Sequence, residues 1–176
     1  TGDNKYKDVA IKHAITTMKN HFRPDYTCWH VVSYNNDGTV ERKQTHQGKN
    51  DDSSWSRGQA WAVYGYTSCY RETNDTTFLN FAVNIADMIM ERVKTDDAIP
   101  YWDYDAPVTE ETPRDASAAA VTAVGFIELS TMVPNGKKYL DCAEKILKSL
   151  SSDAYLAKVG ENQGFILLHS VGSLPN

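Results

Sequence analysis

Residues 55–89 read WSRGQAWAVYGYTSCYRETNDTTFLNFAVNIADMI, and this stretch determines the fold. Its first part, up to Tyr70, carries apolar or small residues on almost every side, which is typical of a helix buried all round. After the polar turn at Thr73, apolar residues recur at spacings of three and four, the pattern of an amphipathic helix. These positions are Phe78, Phe81, Ala82, Ile85, Ala86 and Ile89. The stretch therefore predicts a helical hairpin that pairs one buried helix with one outer helix.

The same turn and outer helix recur at the start of the chain and after Pro134. Their apolar faces consist of Tyr6, Val9, Ala10, His13, Ala14 and Thr17 in the first copy, and of Tyr139, Cys142, Ala143, Ile146, Leu147 and Leu150 in the last. A second helix without a polar face is predicted at 115–129, with Asp115 as its N-cap. Repeated hairpins complete one another's cores, so the fold class is all-α, a helical-hairpin toroid or solenoid.

The first copy of the repeat begins at its turn, in Thr1-Gly-Asp3. Its own buried helix would therefore precede Thr1. We expect residues 1–176 to form a single partial domain, the later part of a longer helical array.

Two segments interrupt the helical pattern. Residues 28–47 predict a β-hairpin around the turn Asn35–Gly38. Residues 95–113 form a long loop that carries Trp102, and we expect such a loop to be ordered and functional. Four pairs of neighbouring acids are predicted to lie on the solvated surface: Asp51 and Asp52, Asp96 and Asp97, Asp103 and Asp105, and Glu110 and Glu111.

The composition excludes several classes of function. A net charge of −5 does not fit a broad surface for nucleic acid or anionic membrane, and no window approaches the roughly 20 apolar residues that span a bilayer. The three scattered cysteines indicate neither a zinc site nor a disulfide framework. We expect a soluble protein without a metal, and the compartment and the oligomeric state stay open because a signal peptide could precede Thr1.

The densest candidate site is Gln44 to Trp61, QTHQGKNDDSSWSRGQAW. Arg57 and Trp61 are four residues apart and share one face of the predicted helix. An arginine and an indole near a helix N-terminus suit a ring that carries a carboxylate, as in an acidic sugar. The alternative is that Trp61 belongs to the core and Arg57 forms an internal salt bridge. For His30, in the hairpin, two interpretations stay open: a structural role and a catalytic role.

Four segments resemble one enzyme family: SSWSRGQAWAVYGYTSCYRETND, IPYWDYDAP, RDASAAA and FILLHSVGSLP, in this order. They are similar to the unsaturated glucuronyl hydrolases of glycoside hydrolase family 88. The related unsaturated rhamnogalacturonyl hydrolases typically carry a variant of the W-x-R-G-Q-A-W block and rank second. A hypothesis of another class is a non-catalytic helical-repeat module that binds a glycan or a protein.

The resemblance implies an (α/α)6 barrel, of which this chain supplies the later half. It implies removal of a 4,5-unsaturated uronic acid from oligosaccharides made by polysaccharide lyases, with no cofactor. In this family an aspartate protonates C4, water adds at C5, and the hemiketal opens and expels the aglycone. That aspartate lies upstream of the turn that matches Thr1-Gly-Asp3. The resemblance therefore assigns no catalytic residue to this chain and implies that the chain alone is inactive.

The resemblance also implies a set of substrate-binding residues. The family's uronate pocket is matched by His30, Gln47, Arg57 and Trp61, with Trp55 near it. Ser170 and Ser173 match two serines that reach the next sugar and its sulfate in some members. Those members carry a lysine where this chain has Pro175, so a preference for sulfate is not implied.

Overall fold

The computed structural model describes residues 4–174. Its elements are α1 (Asn4–His21), β1 (Val31–Tyr34), β2 (Val40–Gln44), α2 (Ser56–Thr73), α3 (Thr76–Arg92), α4 (Ala116–Ser130), α5 (Lys137–Leu150) and a single 3₁₀ turn at Asn162–Gly164. The all-α hairpin architecture is confirmed, and the two antiparallel strands lie inside the predicted hairpin range. The predicted turn at Thr1–Asp3 and the position of Pro175 lie outside the described residues.

The helices form two hairpins side by side. Helix α2 packs against both α3 and α4, and α4 packs against α5, so α2 and α4 are neighbours in the same layer. Their backbones approach closely at Gly125, where a Cβ would lie 3.1 Å from the backbone nitrogen of Tyr64. Glycine is therefore the residue that fits this contact. The largest fully buried apolar side chains include Phe78, Ile85, Ile99, Phe126, Leu129 and Tyr139.

The predicted turns and amphipathic faces are confirmed in the second and third copies. Asp75 caps α3 by accepting a hydrogen bond from the backbone N–H of Thr77. At Gly136, before α5, a Cβ would lie only 1.8 Å from the carbonyl oxygen of Ser130, which requires glycine in the third turn. Three members of the predicted faces deviate: Phe81 and Cys142 are half-buried, and Leu147 is 43% exposed.

Helix α1 deviates more strongly from the prediction. Of its apolar face only Ala14 is buried, whereas Tyr6 and Val9 are 61% and 62% exposed. The physical reason is that little of the described chain packs on this helix, chiefly α2 and β1. Helix α4 also shows two exposed apolar side chains, Val124 and Ile127, on a helix predicted to be buried all round.

The loop 95–113 is ordered by backbone hydrogen bonds. The N–H of Trp102 donates to the carbonyl of Pro113, and the Trp102 carbonyl accepts from the N–H of Ser56 at the start of α2. The prediction that Asp103 lies on the solvated surface is wrong, because this residue is 1% exposed. Three donors explain its burial: the backbone N–H groups of Lys49 and Asp105 and the hydroxyl of Ser53.

No helix within residues 4–174 is both long and apolar enough to cross a membrane.

Candidate functional site

The candidate residues meet where α2 begins. Trp55 precedes the helix, and its ring is buried. The imidazole of His30, from the hairpin, stacks on this ring with 4.3 Å between centroids. The guanidinium carbon of Arg57 lies 4.7 Å from the Trp55 ring centroid. The fold thus brings together two residues of the W-x-R block and a histidine from a different element.

His30 is fixed in one tautomer. Its Nδ1 accepts hydrogen bonds from the backbone N–H groups of His46, at 3.2 Å, and Gln47, at 3.1 Å. An imidazole nitrogen that accepts carries no proton, so the ring is neutral and its proton lies on Nε2. Burial lowers the pKa of His30, and electrostatic interaction with the neighbouring His46 and Arg57 lowers it further. His30 therefore presents a neutral hydrogen-bond donor through Nε2–H.

Arg57 is held by four contacts, two from each terminal nitrogen. Its Nη1 lies 2.7 Å from the Ser117 hydroxyl and 3.2 Å from Oδ2 of Asp115. Its Nη2 donates to the carbonyl oxygens of Val171 and Gly172, at 2.7 and 3.1 Å. Among the described residues nothing accepts from its Nε–H. The salt-bridge alternative for Arg57 is thus confirmed, and it leaves one donor of the guanidinium uncommitted.

The C-terminal segment 169–174 crosses the site and is fastened to it. Besides its bonds to Arg57, the Gly172 carbonyl accepts a hydrogen bond from the Gln47 side-chain amide at 2.5 Å. Ser170 is exposed and Ser173 is half-buried. Within residues 4–174 neither hydroxyl has a hydrogen-bond partner, so both serines are available beside the fastened carbonyls.

Trp61 lies one turn further along α2 and is 54% exposed. The alternative that placed its ring in the core is therefore wrong in this structure. With His30 and Trp55 it lines a cavity of about 360 Å³ between α1 and α2. His13 and His21 contribute to the opposite wall, from α1. The volume and the lining of apolar and aromatic side chains are typical of small-ligand sites.

The structure reveals two residues near the site that the sequence reasoning missed. Ser117 contacts Arg57 from the first turn of α4, and Asp103 holds the chain that leads into α2. Asp115 was predicted only as the cap of α4, which is confirmed by its bonds from the backbone N–H groups of Ser117 and Ala118. Its contact with Arg57 joins residues 58 positions apart (115 minus 57), and no local pattern indicates such a pair.

Within residues 4–174 no group of three or more histidine, cysteine, aspartate or glutamate side chains is arranged to hold a metal ion.

Comparison with known proteins identifies unsaturated glucuronyl hydrolases and unsaturated chondroitin disaccharide hydrolases as relatives, although no family model matches the chain. The chain is 47% identical to an unsaturated glucuronyl hydrolase of Formosa agariphila, over 99% of this chain and 44% of the relative. It superposes with a TM-score of 0.91 and 54% identity on the crystal structure of an unsaturated glucuronyl hydrolase specific for heparin, covering 95% of this chain and 46% of that one.

A third comparison includes a bound sugar. The structure is that of a mutant unsaturated glucuronyl hydrolase from Streptococcus agalactiae complexed with dGlcA-GalNAc6S. The TM-score is 0.85 at 30% identity, over 98% of this chain and 47% of that one. The chain thus spans somewhat less than half the length of the proteins that it matches. Over this span, sequence and fold agree: the chain belongs to the unsaturated glucuronyl hydrolase family.

Proposed function

We propose that this protein is an unsaturated glucuronyl hydrolase, which removes a 4,5-unsaturated uronic acid from the oligosaccharides that polysaccharide lyases produce. Residues 4–174 would supply one wall of the uronate site. The observation that carries the proposal is the cluster of His30, Trp55 and Arg57 beside the exposed ring of Trp61. The complex of a relative with dGlcA-GalNAc6S supports the substrate class.

Each residue of the cluster has a role that its chemistry suits. The free Nε–H of Arg57 donates to the uronate carboxylate, in a charge-assisted hydrogen bond. The exposed face of Trp61 packs on the sugar ring, whose C–H groups are apolar. His30 donates from Nε2 to a sugar hydroxyl, because its Nδ1 is occupied by two backbone N–H groups. Gln47 lies beside them and, with Arg57, holds the segment that carries Ser170 and Ser173 toward the next sugar.

The proposed reaction is a hydration. An acid gives a proton to C4 of the enol ether, water adds through its oxygen to C5, and the conjugate base of that acid takes up the proton that the water loses. The hemiketal formed at C5 then opens to a ketone and leaves a hemiacetal at C1, which collapses to an aldehyde and releases the aglycone as an alcohol. We assign the acid to no residue of this chain. Of the two buried aspartates nearest the site, Asp103 accepts internal hydrogen bonds at both oxygens, whereas Asp115 caps α4 through Oδ1 and lies against the Arg57 guanidinium through Oδ2. The aspartate that the family uses would come from the part of its length that this chain does not match.

The two other hypotheses make different predictions. The intact W-x-R-G-Q-A-W block favours a glucuronyl over a rhamnogalacturonyl substrate. A binding module would retain the sugar and release no product.

The test uses the full-length protein and a 4,5-unsaturated glucuronyl disaccharide, with turnover followed as the loss of the ultraviolet absorbance of the enol ether. Arg57→Ala is expected to lower kcat/KM by at least about tenfold, because a hydrogen bond to a charged group contributes roughly 1.5–3 kcal/mol.

Arg71→Ala is the matched control, because Arg71 lies on the same helix but pairs at the surface with Glu72 and Glu128. It should change kcat/KM by less than about twofold, as expected for exposed ion pairs. If the unsubstituted protein bound the disaccharide without consuming it, the hydrolase proposal would be wrong and the binding module would be favoured.

A further inference from the structure

The Ser117 hydroxyl links the guanidinium of Arg57 to the carboxylate of Asp115. Its Oγ donates to Asp115 Oδ1 at 2.5 Å and accepts from Arg57 Nη1 at 2.7 Å. A hydroxyl has one proton and two lone pairs, so donation to the carboxylate turns a lone pair toward the arginine. Ser117 lies on α4 and Arg57 on α2, so this link also joins the two hairpins.

Asp115 does not hold the arginine by itself. Its Oδ1 is occupied in capping α4, where it accepts from the backbone N–H groups of Ser117 and Ala118. Its Oδ2 is fully buried and lies 3.2 Å from Arg57 Nη1, yet it has no hydrogen-bond partner within the described residues. The hydrogen-bonded path between the two charges therefore runs through the serine.

This arrangement leaves an alternative position open to Arg57. A buried carboxylate oxygen without a hydrogen bond attracts any donor that reaches it. Without the Ser117 hydroxyl, the guanidinium would turn toward Asp115 and close its 3.2 Å contact with Oδ2 into a charge-assisted hydrogen bond. That rotation would weaken the bonds to Val171 and Gly172 and move Nε–H out of position.

We propose that Ser117 is a positioning residue, which holds the Arg57 guanidinium between Asp115 and the segment 169–174 so that Nε–H faces the uronate. Only the kinetic consequence of this proposal rests on the proposed function. Ser117 itself contacts no substrate in this account. It acts through Arg57, and through Arg57 it also fixes the carbonyls between Ser170 and Ser173.

The first measurement is kinetic and compares three variants of the full-length protein. Ser117→Ala should raise KM for the unsaturated disaccharide by about five- to twentyfold and leave kcat within about twofold, because the carboxylate contact is made equally in the ground and transition states. Ser117→Thr keeps the hydroxyl and should restore KM to within about twofold of the unsubstituted protein. The control is Ser130→Ala, at the far end of α4, whose hydroxyl bonds the carbonyl of Ile127 on its own helix.

The second measurement does not depend on turnover. In protein labelled with ¹⁵N-arginine, slow rotation about the Nε–Cζ bond should resolve the Nη protons of Arg57, because four partners hold them. In Ser117→Ala these signals should coalesce, and in Ser117→Thr they should stay resolved.

The two measurements separate the possible failures. If Ser117→Ala kept both KM and resolved Nη signals, the positioning role would be overturned while the proposed function stood. If the unsubstituted protein did not turn over the disaccharide, the proposed function would fail. The change in the Arg57 signals would then decide the positioning role alone.

Discussion

Replacing Asp103 with asparagine tests how the chain that leads into α2 is held. The substitution keeps the shape of the side chain but removes the charge and turns one acceptor oxygen into a donor. Asp103 Oδ2 accepts from the Lys49 N–H at 2.9 Å and from the Ser53 hydroxyl at 2.7 Å. Its Oδ1 accepts from the Asp105 N–H at 2.9 Å. With the side chain 1% exposed, water does not replace a lost partner.

The magnitude follows from these three bonds. The better amide orientation places its oxygen at the Oδ2 position, which keeps two bonds and sets the new NH₂ group against the N–H of Asp105. The lost charge-assisted bond costs roughly 1.5–3 kcal/mol, and the two retained bonds weaken because they no longer reach a charged group. Relief from burying a charge offsets part of this cost. We expect the free energy of unfolding to fall by about 2–4 kcal/mol.

The assay is urea unfolding of the full-length protein, with the change taken from the midpoint at constant slope. Asp37→Asn is the control, because Asp37 accepts two similar bonds, from the N–H and the hydroxyl of Thr39, at an exposed turn. It should cost less than about 1 kcal/mol. A loss below about 1 kcal/mol for Asp103→Asn would refute the assignment of these bonds as the structural link.

Three further predictions concern the site. The fully buried Gln59 side chain forms hydrogen bonds with the backbone N–H and carbonyl of Cys28. Gln59→Met should therefore lower the free energy of unfolding in urea by about 2–3 kcal/mol. The control Thr67→Val removes only a hydrogen bond within its own helix and should lower it by less than about 1 kcal/mol. The pKa of His30 lies below its ordinary 6.5 because burial disfavours the charged ring. As the pH falls, the unfolded chain therefore takes up the proton first, and stability should decrease below about pH 6.5. His30→Gln should reduce this decrease. If the variant and the unsubstituted protein had the same pH profile of the unfolding temperature, the neutral state of His30 would be contradicted. Trp61→Ala should lower kcat/KM by about tenfold and change the free energy of unfolding by no more than about 0.5 kcal/mol, because the ring is half exposed. Trp61→Phe keeps an aromatic ring and should show a smaller loss of kcat/KM. If both variants were as active as the unsubstituted protein, stacking of Trp61 on the sugar would be excluded.

The helices were predictable because their signal is local. The spacing of Phe78, Ala82 and Ile85 indicates one buried face, and the structure buries all three. The hairpin around Asn35–Gly38 was predictable for the same reason, since its turn closes over a few residues. Such patterns state which face prefers burial. They do not state what covers it, which is why the face of α1, with Tyr6 and Val9, was predicted to be buried and is exposed within the described chain.

The candidate site was predictable in part. Arg57 and Trp61 share a helix face by spacing, so their proximity required no tertiary information. Asp103 and Ser117 gain their roles from partners 50 or more residues away in the chain. A pair of acids such as Asp103 and Asp105 is solvated in most loops, and burial becomes favourable only where the fold supplies donors, as the backbone at Lys49 does here.

The most direct test of uronate recognition by Arg57 compares two substrates on one variant. A 4,5-unsaturated glucuronyl disaccharide and its uronate methyl ester differ in the charge that Arg57 is proposed to meet. Both substrates report equally any structural damage from losing the bonds of Arg57 to Ser117, Val171 and Gly172.

We expect Arg57→Ala to lower the ratio of kcat/KM for the acid to kcat/KM for the ester by about tenfold or more, which corresponds to the loss of one charge-assisted hydrogen bond. An unchanged ratio, with both substrates slowed equally, would contradict it and would leave Arg57 as a structural residue.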